Sequence, residues 1–257
     1  MSAAACSSRR LGWLRTGLIV GALAVTETLC RTGLISKQVL IPPTEMAASL
    51  GALLRSGKFN DDIAQTLGCV AAALALAVIF GFACGVTLHA LPRLRRALDP
   101  LLATYYAVPF FVFYPVLISF FGLSRGPVIV IAFLFAVVVM VINTLNGLDR
   151  IPRVLTKVAR VHHMAPLDTA FRIKLPAAAP HLFTGLKLAV AYTFIGVIAS
   201  EFIMASSGLG FQIAYTYNNF DNRTMYALML FVLALVTIVN MGLHVWEQRL
   251  LARRGGR

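Results

Sequence analysis

Val154–Pro180 reads VLTKVARVHHMAPLDTAFRIKLPAAAP. It is a basic, mostly polar stretch set between two long apolar runs. Ile151-Pro152 opens a helix, and Val154, Val158 and Val161 fall at i, i+4 and i+7, an apolar stripe at helical spacing. Pro166 stops or kinks that helix. Leu167 to Ile173 can form a second short helix, ended by Leu175-Pro176. Two short helices at an angle, carried between two membrane spans, form a protrusion stiff enough to transmit force to a soluble partner. The competing reading is a basic loop lying on anionic lipid. The residues alone leave both open.

The rest of the chain decides that these flanks are membrane. Of 257 residues, 59% are hydrophobic and 13% charged, and the mean hydropathy is +0.81. A soluble domain is about 45–50% apolar and about 25% charged, so the chain is read as an all-α integral membrane protein. The net charge of +13 would suggest nucleic acid in a soluble protein. Here the cations sit in short loops between apolar runs, which is the signature of topology, and no nucleic-acid partner is expected. Cys6, Cys30, Cys69 and Cys84 show no paired-ligand spacing and read as small hydrophobes, with neither disulfide nor metal.

Six spans are expected. The first, Trp13 to Cys30, follows a basic start that also admits a cleaved signal peptide or, from Ser8-Arg9-Arg10, a twin-arginine signal; an uncleaved span fits best. Arg31 to Ile63 is interfacial, with a short amphipathic helix over Glu45 to Leu54 ended at Ser56-Gly57-Lys58. Thr66 to His89 is a span rich in small residues, which let helices approach closely in lipid. Ala90 to Asp99 is a short basic loop. Pro100 to Gly122 is a third span broken by Pro109 and Pro115. Ser124-Arg125-Gly126-Pro127 turns into a fourth span, Val128 to Leu145. Leu182 to Ala205 and Met225 to Trp246 are the fifth and sixth. Residues 1–12 are a cytoplasmic start, 13–246 the transmembrane domain with its loop at about 150–180, and 247–257 a basic tail.

With the N-terminus placed inside, sixteen of the 23 Lys and Arg lie in inside segments and six in outside ones. That asymmetry favours six spans with both termini and the Val154–Pro180 segment in the cytoplasm.

Two features mark a candidate pathway. The third span carries hydroxyls at Thr104, Tyr105, Tyr106 and Tyr114, and Pro109 and Pro115 free carbonyls that must find partners elsewhere. The competing reading is a kinked packing helix with interfacial tyrosines. Glu201 is an ionisable residue at the end of the fifth span, and such residues are costly in lipid and tend to serve function. It could gate, pair with Arg223, or cap the span in water. Lys187 is expected to snorkel, and Glu27 and His89 to sit at interfaces.

These residues resemble a known family, the permeases of binding-protein-dependent ABC importers, in the branch that carries nitrate, sulfonates and taurine. The Leu175-Pro176-Ala177-Ala178 end of the cytoplasmic loop resembles the family's docking motif. Arg96-Ala97-Leu98-Asp99-Pro100-Leu101-Leu102, Ala107-Val108-Pro109, Phe121-Gly122-Leu123, Phe183-Thr184-Gly185-Leu186 and Ser207-Gly208-Leu209-Gly210 extend the likeness from about residue 34 to the end. The resemblance implies a type I importer bundle with a cytoplasmic coupling helix. Docking would fall on Lys157, Val158, Ala159, Arg160, His163, Met164, Leu167, Leu175 and Pro176. The candidate pathway residues are Thr104, Tyr105, Tyr106, Pro109, Tyr114, Pro115 and Glu201. Implied partners are an ABC ATPase dimer, a second permease chain in a homo- or heterodimer, and a periplasmic or lipid-anchored solute-binding protein. The location implied is the bacterial inner membrane. ATP and Mg would sit on the ATPase; this chain, which has no Gly-rich phosphate loop, would be non-catalytic and hold no cofactor. The expected solute is a small anion, with a neutral vitamin precursor as alternative.

Two departures stand out. The family's acidic residue at the start of the motif is Lys157 here, and its glycine is His163. The ATPase groove could carry a compensating acid, a sister permease could carry more of the coupling, or this copy could be impaired. An ATPase-independent transporter or channel is the alternative class. It predicts inverted repeats and more buried charge, neither of which is evident.

Overall fold

The apolar runs become helices. The computed structural model describes residues 17–18, 20–36, 39–165 and 168–255. Residues 1–12, expected as a cytoplasmic start, lie outside these, as does part of the expected first span. Residues 20–31 are helical (α1). They are followed by α2 (Pro43–Ser56), α3 (Asn60–Ala90), α4 (Pro92–Thr104), α5 (Tyr114–Phe121), α6 (Arg125–Asp149), α7 (Arg153–Val161), α8 (Leu175–Met204), α9 (Leu209–Asn218) and α10 (Asn222–Gly255). Among the described residues, α3, α6, Thr169–Met204 and Asn222–Arg249 are long and apolar enough to cross a membrane. At 31 residues, α3 is roughly 46 Å long, more than the ~30 Å of bilayer hydrocarbon.

The third expected span is not one helix. Pro92–Ala107 and Phe110–Phe121 meet at 87°, giving a fifth crossing only if counted as one broken span. The cause is local. Pro109 cannot donate an amide, and the preceding residue is pushed to extended backbone; Val108 accordingly has ψ 120°. The expected loop at Ala90 to Asp99 is instead the start of α4, with Pro92 in the first turn where its missing N–H costs nothing. Leu175-Pro176 likewise does not end a helix. A π-helical turn, Thr169–Lys174, runs directly into α8, whose first turn holds Pro176.

The chain divides into two compact units, residues 1–60 with 212–233 and residues 61–211 with 234–257. In the first, Glu27 links α1 to the start of α2. Its carboxylate accepts from the Thr44 amide (3.1 Å) and hydroxyl (2.7 Å) while pairing with Arg31 at 2.6 Å. The carboxylate thus caps a helix N-terminus, which gives Glu27 a structural reason to sit where it does. Gly57, with φ +64°, ends α2 as the expected Ser-Gly-Lys stop.

In the second unit, α3, α6 and α8 pack through small residues. A Cβ at Gly196 would lie 2.6 Å from Ala132 Cα, one at Gly85 2.6 Å from Thr144 Cβ, and one at Gly185 2.7 Å from Asn143 Cβ. Close backbone approach is what holds helices together where lipid removes the hydrophobic drive. Around these contacts Cys69, Ala73, Val128, Ala132, Val190 and Phe194 form a buried cluster, against which Leu235, Val239 and Leu243 of α10 pack.

Candidate functional site

The ends of α6 and α8 define two poles of the second unit. At the pole where α6 ends and α8 begins sits the loop with α7. This nine-residue helix, RVLTKVARV, carries three cations and no acid. Ala159 is buried, whereas Val154, Val158 and Val161 are exposed. The helix ends in a Schellman closure, in which two amides beyond the end fold back on the last carbonyls. The Met164 amide donates to Ala159 O and the His163 amide to Arg160 O, both at 3.0 Å. That closure needs a left-handed residue, and His163 supplies it with φ +46°. A histidine thus holds a left-handed angle that glycine adopts without steric cost. Of the other expected docking residues, Lys157 and Arg160 are on α7 and Leu175 and Pro176 open α8; Leu167 lies outside the described residues. Where α3 and α4 meet the end of α6, Arg95 grips Asp149 with two guanidinium nitrogens (2.9 and 2.7 Å), and His89 lies 3.1 Å from the same carboxylate. His89 thus has a partner in the fold.

At the opposite pole Glu201 is 1% exposed. Its two oxygens accept from the Thr66 hydroxyl (3.0 and 2.9 Å), and Oε2 also accepts from the Gly210 amide at 2.9 Å. Thr66 Oγ1 in turn accepts from the Leu209 amide (2.8 Å), and Asp62 from the Gly208 amide (2.8 Å). The Ser207-Gly208-Leu209-Gly210 turn is thereby wrapped around one buried carboxylate. A Cβ at Gly208, which has φ +105°, would lie 2.5 Å from the Glu201 carboxyl carbon, and one at Gly210 would lie 2.4 Å from Ile198 O. Glu201 is not a cap in water; it is the post around which the chain turns back after α8.

Beside it lies a cavity of about 500 Å³, lined by Gln65, Tyr114, Ser124, Arg125, Glu201 and Ser207 among others. That volume is in the range of small-molecule sites. Two expected pathway residues, Tyr114 and Glu201, meet here. The others do not. Tyr105 donates its hydroxyl to Leu134 O at 3.0 Å, Thr104 bonds back to Pro100 O at 2.9 Å, and the Tyr106 ring stacks on Tyr192 at 5.9 Å. Pro109 sits at the break and Pro115 in the first turn of α5. Gln65, Arg125 and Ser207 join Tyr114 and Glu201 in the lining and carry no pathway signal in the sequence. Only their clustering from three distant segments reveals them. Among the described residues no group of three or more His, Cys, Asp or Glu is placed to hold a metal.

Residues 73–254 match the family model described as the binding-protein-dependent transport system inner membrane component. The chain belongs to this family. Its similarity is to permeases of the nitrate, sulfonate and taurine branch. The nitrate import permease protein NrtB of Leptolyngbya laminosa is 32% identical over 66% of this chain and 61% of its own length. The taurine transport system permease protein TauC of Escherichia coli is 25% identical over 96% of this chain and 95% of its own. A putative aliphatic sulfonates transport permease protein, SsuC of Bacillus subtilis, is 28% identical over 80% and 75%. Thus the match spans less than two thirds of the nitrate permease and nearly all of the taurine permease. Among solved structures, the inward-facing MetNI methionine ABC transporter aligns with TM-score 0.60 at 20% identity, covering 74% of this chain and 92% of that one. This likeness speaks for the fold.

Within the permease a part-buried ion pair falls outside both poles. Lys187 Nζ donates to Glu247 Oε2 at 2.6 Å, with His244 Nδ1 3.6 Å from the same oxygen. Lys187 does not snorkel to water; it ties α8 to α10. Glu247, expected in the basic tail, instead belongs to α10, which runs on well past Trp246.

Proposed function

We propose that this permease subunit imports a small anion across the inner membrane, driven by an ATPase dimer that grips α7. Alternating access is the mechanism: closure of the ATPases pulls on α7 and the π-turn, which continues without a break into α8. A rigid connection of that kind carries a push at one pole to the Glu201 turn and the cavity at the other. The observation that carries the reading is the Schellman-closed α7, which presents three valines and three cations outward. Exposed apolar residues on a short, conformationally fixed helix suit a groove on a partner protein. The reading of an anion is supported by the solutes for which the relatives are named: nitrate, aliphatic sulfonates, and taurine, which carries a sulfonate group. Family membership supports an external binding protein and, with it, the reading of a second permease chain. Both termini are taken as cytoplasmic from the Lys and Arg distribution.

The test is uptake. The chain, purified with the ATPase and the second permease chain that accompany it, is reconstituted in vesicles with its binding protein and supplied with labelled nitrate, taurine or bicarbonate. Accumulation of one of these that requires ATP on the α7 side is expected. Uptake of similar size without ATP would move the assignment to an ATPase-independent transporter.

A further inference from the structure

The cavity beside Glu201 is polar and large enough for a small solute, yet only one of its charges faces the open space. Glu201 lines it, but its side chain is turned inward and both oxygens are occupied by Thr66 and Gly210. Arg125, the first residue of α6, is exposed and is the single cation among the lining residues. Its place is fixed by a relay. Arg125 Nη2 donates to Gln65 Oε1 at 3.2 Å, and Gln65 Nε2 donates to Ser207 Oγ at 2.5 Å. A guanidinium offers only donors. The Gln65 amide must therefore turn its oxygen to Arg125 and its nitrogen to Ser207. The relay joins the start of α6, the start of α3 and the turn after α8, three of the segments that line the cavity. Among the described residues the guanidinium spends one of its donors on Gln65, so the fork keeps donors to offer a carboxylate, nitrate or sulfonate, groups whose planar or tetrahedral oxygens suit it.

We propose that Arg125, positioned by Gln65 and Ser207, is the charge-selecting residue of this permease and makes the cavity an anion filter. This rests on the reading that the cavity lies on the solute's path. A single cation in a cleft raises the local concentration of anions and lowers that of cations.

The experiment measures the cavity's charge without needing transport. Cys6, Cys30, Cys69 and Cys84 are replaced by Ala, and Ser206→Cys places a thiol in the cavity lining. The full chain in vesicles is treated with anionic sulfonatoethyl methanethiosulfonate or cationic trimethylammonioethyl methanethiosulfonate. Relative to a free thiol, the anionic reagent is expected to be favoured by roughly three- to tenfold. Arg125→Gln should remove that preference and Arg125→Lys retain most of it. Gln65→Leu, which frees the guanidinium, should weaken it. High salt should lower it in the parent, a check that holds even if Arg125→Gln does not fold. A parent ratio equal to that of the free thiol, or a ratio unmoved by Arg125→Gln, overturns the filter. If the ratio behaves as expected while reconstituted vesicles import none of the test anions, the import reading fails and the filter stands.

Discussion

His163 occupies a backbone position that favours glycine, and the two hydrogen bonds that close α7 depend on it. Left-handed backbone costs an L-residue about 1–2 kcal/mol, although histidine is among the side chains that visit it more readily. His163→Gly is therefore expected to keep the closure and to strengthen protection of the Met164 amide in hydrogen exchange, by about 1 kcal/mol. His163→Val should weaken that protection by more, since a β-branched residue fits this region worst. Equal protection in all three would mean that the turn does not depend on its backbone angle. Gly208 at the other pole is less forgiving. A methyl there would meet the Glu201 carboxyl group at 2.5 Å in a left-handed conformation as well. Gly208→Ala should lower stability by about 3 kcal/mol or more, read as an earlier midpoint in a detergent unfolding titration. Neither residue's role could be read from the chain alone. That of His163 depends on a backbone angle, and that of Gly208 on the folded position of Glu201, which itself bonds partners nine and 135 residues away.

At the scale of helices, small residues and one ion pair do the joining. Gly196 lies so close to Ala132 that Gly196→Leu should separate α6 from α8. The cost expected is at least about 1–3 kcal/mol, and the same detergent titration reads it; an unchanged midpoint would show that the helices do not depend on that approach. Lys187 and Glu247 call for a double-mutant cycle. Each single change, Lys187→Met or Glu247→Leu, leaves a partly buried charge without its partner and should cost about 2 kcal/mol, less than a fully buried pair because Lys187 keeps some contact with its surroundings. The double change should recover most of that loss. Additive losses would argue that the pair is incidental. The apolar runs made four of the long helices legible, because hydropathy registers them directly. The break at Pro109 was visible as a proline but its 87° bend was not, since a proline in a span yields anything from a mild kink to a turn, depending on what receives the freed carbonyls. The α7 stripe was legible from three valines. The π-turn was not, because nothing in Thr169–Lys174 distinguishes it from an ordinary helical start.

Over the whole molecule, the loop that interrupts the membrane part is the feature that separates an ATP-driven permease from a transporter that works alone. Its α7 carries Arg153, Lys157 and Arg160 beside three exposed valines, and the cavity sits at the far pole of the same unit. Family membership was legible in short motifs spread over much of the chain, and residues 73–254 bear it out. The cavity's make-up was not, since Gln65, Arg125 and Ser207 come from segments about 60 and 142 residues apart. Whether a soluble ATPase grips α7 is read by a mild-detergent pull-down of the tagged chain with mass spectrometry of its companions. An ATPase subunit is expected in the eluate of the parent and absent when residues 159–167 are replaced by a Gly-Ser linker. A second, different permease chain in the same eluate would account for Lys157 and His163. An eluate without an ATPase, under conditions that keep other importers whole, would contradict the account.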